Sequence, residues 1–142
     1  MEEFYPMPVF FSLEVRDIAA SAAWYQRALG FRSVYEASPG EGGKPNMVHL
    51  RRERYQDIML FQAATGAELW GAESLTVNFS PGDTSVREIA DSARAADSMK
   101  VEGPIERPWN VREVTVYDPD GYRLRFSEPI DLTKTFDEVM GE

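Results

Sequence analysis

Cysteine is absent from all 142 residues and histidine occurs once, at His49. The first absence excludes disulfides, thiolate metal sites and a Cys nucleophile. The second leaves His49 as the sole imidazole, distant from the candidate groups, so no Ser-His-Asp set can be assembled. Long apolar runs are missing too: no segment approaches the ~20 apolar residues that span a bilayer, and Met1 to Pro6 shows no basic region leading into an apolar stretch. A soluble, cytoplasmic protein is expected. Basic residues are in deficit, 15 Lys and Arg against 24 Asp and Glu, and the resulting net charge of −9 repels nucleic acid and anionic membranes. No glycine-rich loop follows a strand to cradle phosphate; Gly40, Gly42 and Gly43 sit in a hairpin connection as turn residues.

What the chain has is alternation. Val114, Val116, Leu124 and Phe126 alternate with Glu113, Thr115, Arg123 and Arg125, the period-two pattern of strands with one apolar face. Asp118-Pro119-Asp120-Gly121 between them is a turn, with proline presetting φ, aspartate bonding nearby backbone and glycine free to turn left-handed. Near the N-terminus Val9 to Arg16 reads as a strand, Asp17 as a helix cap, and Ile18 to Leu29 as an amphipathic helix with Ile18, Ala22, Tyr25 and Leu29 inward and Gly30 as its stop. Three short strands follow, near Phe31 to Ala37, Met47 to Arg52 and Asp57 to Gln62. The order β-α-β-β-β then recurs. Ser74 to Phe79 is predicted as a strand, Ser85 to Asp97 as a helix with Val86, Ile89 and Ala93 inward, and Val101 to Ile105 as the strand before the closing hairpin.

The run from Val15 to Phe31, V-R-D-I-A-A-S-A-A-W-Y-Q-R-A-L-G-F, and the run D-P-D-G-Y-R-L from Asp118 to Leu124 together resemble the vicinal oxygen chelate superfamily of glyoxalases, bleomycin resistance proteins and extradiol dioxygenases. The resemblance covers nearly the whole chain. It implies an α+β fold of two βαβββ modules whose curved mixed sheet encloses a cavity. A single domain over 1–142 is expected, with module one at about 8–63, a link at about 64–73, module two at about 74–129 and a C-terminal tail at 130–142 that is a short surface helix or frayed. Single-chain members dimerise, so a homodimer is expected.

Each module's helix covers one sheet face, and parity assigns the other to the cavity. The helix side takes Phe11, Leu13, Val15, Ile58, Leu60, Leu75, Val77, Phe79, Val114, Val116, Leu124 and Phe126. The open side takes Phe10, Ser12, Glu14, Met59, Phe61, Ser74, Thr76, Asn78, Glu113, Thr115, Arg123 and Arg125, a mixture suited to binding a ligand. Trp24 and Tyr25 belong to helix packing. Trp70 and Trp109 lie in connections that border the cavity in this family, where a flat ring stacks on a planar ligand or simply packs; for Phe10 and Phe61 packing and ligand contact stay equally open.

Enzymes of the superfamily hold one divalent ion with His or Glu. Carried over by position, those sites fall on Phe10, Met59, Ser74 and Arg125, none of which suits Zn²⁺, Fe²⁺, Mn²⁺ or Ni²⁺. His49 is placed in the third strand away from them, as an ordinary surface or edge residue. No metal and no cofactor is therefore expected. The resemblance then favours a metal-free protein that binds a small aromatic or amphipathic molecule, an antibiotic or metabolite, through Phe10, Ser12, Glu14, Met59, Phe61, Ser74, Thr76, Asn78, Trp109, Glu113 and Arg125. The alternative is a lyase, isomerase or dioxygenase-like enzyme working by acid–base chemistry, with Glu113 and Arg125 as candidate catalytic groups, or through a metal site elsewhere. Glu113 and Arg125 are also expected to form an ion pair across the final hairpin.

Overall fold

The structure is a computed structural model that describes residues 2–37 and 43–141. The predicted hairpin connection at 39–43 therefore lies, except for Gly43, outside the described residues. The elements run β1 (Phe11–Val15), α1 (Ile18–Leu29), β2 (Arg32–Glu36), β3 (Met47–Arg51), β4 (Asp57–Gln62), a 3-10 turn (Ala72–Ser74), β5 (Thr76–Phe79), α2 (Val86–Ala95), β6 (Lys100–Arg107), β7 (Val111–Tyr117), β8 (Arg123–Pro129) and α3 (Phe136–Met140). The chain divides into two compact units, Met1–Gly71 and Ala72–Glu142, each one βαβββ module. Each module forms its own open, four-stranded mixed sheet, in the order β1-β4-β3-β2 and β5-β8-β7-β6. No helix among the described residues is long and apolar enough to cross a membrane.

In the first unit the chain leaves β1 and meets Asp17, whose carboxylate accepts the Ala20 N–H at 3.1 Å and so satisfies one orphan donor of the new helix. Gln62, at the end of β4, adds a second cap, accepting the Ile18 N–H at 3.0 Å. Gly30 ends the helix at φ 75°, a left-handed position glycine takes without strain. The buried side of α1 (Ile18, Ala22, Tyr25, Leu29) lies over β2, β3 and β4, where Val48, Leu50, Ile58 and Leu60 are buried. Tyr25 sits edge-on to Trp24 at 4.9 Å and to Phe31 at 5.4 Å. Each large aliphatic so buried contributes about 1.5–3 kcal/mol.

The second unit repeats this plan with different chemistry. Ser85 caps α2 through the Glu88 N–H at 3.1 Å, and Glu128, near the end of β8, accepts the Val86 N–H at 2.8 Å. Glu128 thus does for α2 what Gln62 does for α1, with the added benefit of a negative charge at a helix N-terminus. The buried side of α2 (Val86, Ile89, Ala90, Ala93) lies over β6, β7 and β8, where Val114, Val116, Leu124 and Phe126 are buried. The β7–β8 turn is held by Asp118, whose Oδ1 accepts from the Asp120 and Tyr122 N–H groups, both at 2.9 Å. The tail carries the short helix α3, exposed along its length and closed by a capping box between Thr135 and Glu138.

Two strand boundaries differ from expectation. Phe10 lies outside β1, because the ladder to β4 begins only at Phe11↔Ile58. Ser74 is not in a strand but ends the 3-10 turn, where Leu75 N–H reaches back to Ala72 O, and β5 starts at Thr76.

Candidate functional site

Because the side chains of a strand alternate, covering one face with a helix leaves the other to present whatever the intervening positions carry. On the second unit's open face, Thr76 pairs with Arg123, Asn78 with Arg125 and Thr115 with Arg125 in register. Glu113 is opposite Ser127, so Arg125 is its diagonal neighbour and not its direct partner. The two side chains still meet: Arg125 Nε lies 2.7 Å from Glu113 Oε2. Arg107, from β6, donates to Glu113 Oε1 at 2.7 Å, an interaction the sequence did not suggest. The carboxylate is thus held between two guanidiniums with only 5% of the residue exposed.

The pairing is incomplete in one respect. Arg125 Nε aims its proton at Thr115 Oγ1, 2.9 Å away, so its approach to Glu113 Oε2 is an ion contact without a directed hydrogen bond. Glu113 Oε2 and Arg123 Nε are both buried and lack a hydrogen-bond partner among the described residues. Glu113 Oε2 keeps its ion contact with Arg125, so one acceptor and one donor on the same open face have hydrogen-bonding capacity left over.

A bulge shapes this corner. Between Glu102 and Ile105 the β6–β7 register slips, and Gly103, at φ 107°, brings its backbone so close to β7 that a Cβ there would lie 2.6 Å from Glu113 O. Only glycine fits, and the bulge sets where the strand carrying Glu113 runs.

In the first unit Ser12 pairs with Met59 and Glu14 with Phe61. Ser12 and Glu14 are exposed and Met59 is buried, while Phe10 and Phe61 are about 40% exposed. His49 corrects the sequence reading. It lies directly across from Met59 on β3, it is buried, and its Nε2 is 2.6 Å from Asp57 Oδ2. Asp57 is fully buried and also takes Arg51 Nε at 2.8 Å and Arg51 Nη2 at 3.0 Å. Arg51 in turn grips Glu3 with its remaining donors, at 2.7 and 2.5 Å. That contact holds the Glu3 carboxyl below its usual value and pushes the Arg51 guanidinium up, above the ordinary arginine range. The signal for this cluster was present in the strand parity: Asp57, Met59 and Phe61 share a face, and the short β3–β4 hairpin sets Arg51 opposite Asp57.

Trp109 sits in the β6–β7 connection and lines a groove of about 330 Å³ with Val111, Pro129, Phe136, Val139 and Met140. Asn110 fixes the tail beside it, donating to Asp131 O at 3.0 Å and accepting the Asp131 N–H at 2.8 Å. Trp70, in the link, is almost fully exposed.

The donor set at the four positions where the resemblance implies a divalent ion does not suit one. A phenyl ring, a thioether, a hydroxyl in a 3-10 turn and a guanidinium already engaged by Thr115 and Glu113 offer no imidazole or carboxylate. Among the described residues, no three His, Cys, Asp or Glu side chains are grouped so as to hold a metal.

A family model for the Glyoxalase/Bleomycin resistance protein/Dioxygenase superfamily matches residues 9–126. Similar solved structures include a glyoxalase-related enzyme from Clostridium phytofermentans, with 14% identity over 92% of this chain and 100% of that one and a TM-score of 0.67. An antibiotic-binding protein from Streptomyces sp. CB03234 shares 20% over 84% and 93% of the two chains, TM-score 0.63. A bleomycin resistance determinant encoded on transposon Tn5 shares 19% over 85% and 96%, TM-score 0.64. At these identities the likeness is one of fold. No curated protein matches the chain. With the family model spanning most of its length and both modules in place, the chain belongs to the Glyoxalase/Bleomycin resistance protein/Dioxygenase superfamily.

Proposed function

We propose that this protein binds and sequesters a small amphipathic molecule, an antibiotic or metabolite, without a metal ion, as a cytoplasmic homodimer. The observation that carries the reading is the pair of unsatisfied buried groups, Glu113 Oε2 and Arg123 Nε, on the second unit's open face. A ligand N–H or ammonium completes the first and a ligand carbonyl or carboxylate the second, which selects a molecule with both donor and acceptor ends. Arg125 and Asn78, paired in register beside them, add further polar contacts. The antibiotic-binding and bleomycin-resistance relatives share this fold and support sequestration as the outcome. Ser74, Thr76 and Trp109 complete the proposed ligand contacts of the second unit, and Phe10, Ser12, Glu14, Met59 and Phe61 are the proposed contacts on the first unit's own open face.

Native mass spectrometry of the purified protein, followed by fluorescence titration with metal-free bleomycin, tests this reading. The expected result is a dimer that carries a co-purified organic mass or takes up bleomycin. Affinity should fall roughly tenfold or more in Glu113→Gln, the loss of a hydrogen bond to a charged acceptor. Absence of any bound organic species together with no bleomycin binding overturns it, and turnover of a bound compound would replace sequestration with catalysis.

A further inference from the structure

The first unit holds a second polar centre that the reading above does not use. Glu3, Phe4, Tyr5 and Met7 of the N-terminal segment, Arg32 and Val34 of β2, and His49 and Arg51 of β3 line a pocket of about 250 Å³. That is below the range of about 300–1,000 Å³ typical of drug-sized sites, so its ligand is small. Phe4, Tyr5, Met7 and Val34 supply apolar wall; the polar side is Arg32, Arg51 and His49.

The charges on that side are not equivalent. Arg51 is committed twice, to Asp57 and to Glu3. Arg32 is exposed directly across the ladder from Arg51, and no ion pair or side-chain hydrogen bond holds it among the described residues. Two positive side chains facing each other across strands repel unless an anion sits with them. Arg51 has its anions and Arg32 does not. His49 is oriented by the same network. Asp57, ionised against Arg51, only accepts, so Nε2 carries the proton toward it and Nδ1 is the ring's remaining polar atom. A carboxylate clamped to one imidazole nitrogen fixes the ring's orientation.

We infer that this pocket is a binding site for a small organic monocarboxylate, its carboxylate held by Arg32 beside His49 and its apolar body against Phe4, Tyr5, Met7 and Val34. The site is built from the first unit alone and is independent of Glu113 and Arg123. Arg51, Asp57, Glu3, Tyr5 and Tyr35, from their respective elements, are the other charged and titratable groups around His49. The two carboxylates among them are paired with Arg51 and, for Glu3, with Arg54 at 3.7 Å as well, which leaves the incoming anion to Arg32.

The single histidine makes the test direct, since every imidazole signal in an NMR spectrum comes from His49. Benzoate is titrated into the ¹⁵N-labelled protein, with benzamide as the uncharged control of the same shape. Saturable shifts of the imidazole signals with benzoate and not benzamide are expected. Arg32→Gln should weaken benzoate roughly tenfold or more, as loss of a charge-assisted contact does, while leaving the imidazole signals of the unliganded protein in place. Glu113→Gln should leave benzoate binding unchanged. No imidazole shift at millimolar benzoate, equal shifts with benzamide, or an unaltered affinity in Arg32→Gln each overturns the proposal.

Discussion

Replacing Asp57 by alanine removes the acceptor on which β3, β4 and the N-terminal segment converge. Three charge-assisted contacts end there, from His49 at 2.6 Å and from Arg51 at 2.8 and 3.0 Å, on a carboxylate with no exposed surface. Breaking a buried ion pair from one side costs about 3–5 kcal/mol because the abandoned charge has no partner. Here that figure must be reduced, since Arg51 keeps its fork on Glu3 and stays paired. The expected destabilisation is about 2–4 kcal/mol, a reduction of about 1–2 M in urea midpoint for a slope near 2 kcal/mol/M. Trp24 is the probe: it is buried in the same unit against Tyr25, whereas Trp70 and Trp109 are exposed. The double variant Asp57→Leu with Arg51→Met should recover much of the loss, because an apolar pair of similar volume avoids the desolvation that the ion pair must offset. A shift of less than about 0.5 M in Asp57→Ala would show the cluster to be worth no more than a surface salt bridge, and the reasoning from its burial would fail.

The Glu3–Arg51 clasp should be sensitive to acid in one direction only. Its carboxyl sits below the ordinary value of 4.5 because of the Arg51 hydrogen bonds, so the clasp is fully present above that value and is lost as pH falls through the lowered one. Protection of the amides in residues 2–9, taken relative to their intrinsic exchange at each pH, should fall below that point, and Glu3→Gln should abolish the acid step; protection unaffected by pH in the wild type would refute this. Gly103→Ala should lower Tm by far more than Gly66→Ala, although both glycines have positive φ, because a Cβ at 103 meets Glu113 O at 2.6 Å and one at 66 meets nothing within 4 Å. Equal Tm changes would mean that backbone conformation, not the close approach of β6 to β7, governs that site.

Much of this fold was legible because parity and capping are local. Asp17, Gly30 and the Asp118–Gly121 turn act through neighbours in the chain, and the apolar positions from Leu13 to Phe126 need only the period-two pattern to be sorted. What escaped depends on register. Whether Glu113 faces Arg125 squarely or diagonally is set by the length of the β7–β8 turn, and whether His49 is idle or clamped depends on the β3–β4 hairpin that brings Asp57 beside it. A histidine judged by its own strand looks ordinary; its role appears only once the partner strand is in place. Arg107 was missed for a related reason, since the Gly103 bulge shifts the register of β6 by an amount no alternation pattern encodes. Ser74 failed differently: a short 3-10 turn at Ala72–Ser74 took over the start of the expected strand.

The parallel pairing of β1 with β4, and of β5 with β8, has a consequence for the chain as it leaves the ribosome. Phe11–Val15 emerges early yet has no hydrogen-bonded strand beside it until Asp57–Gln62 follows, and Thr76–Phe79 waits in the same way for Arg123–Pro129. The hairpins of each module close locally and soon, whereas the first strand must hold its apolar side chains in reserve across most of the module. Synthesis therefore passes through two intervals in which the first strand of a module has been made but the inner strand that pairs with it has not, and each ends only when that strand, the last of its module's sheet, is translated. A ribosome stalled short of Gln62 or Pro129 would carry a module that cannot close, with Leu13 and Val15, or Val77 and Phe79, offered to whatever chaperone or neighbouring chain is nearest.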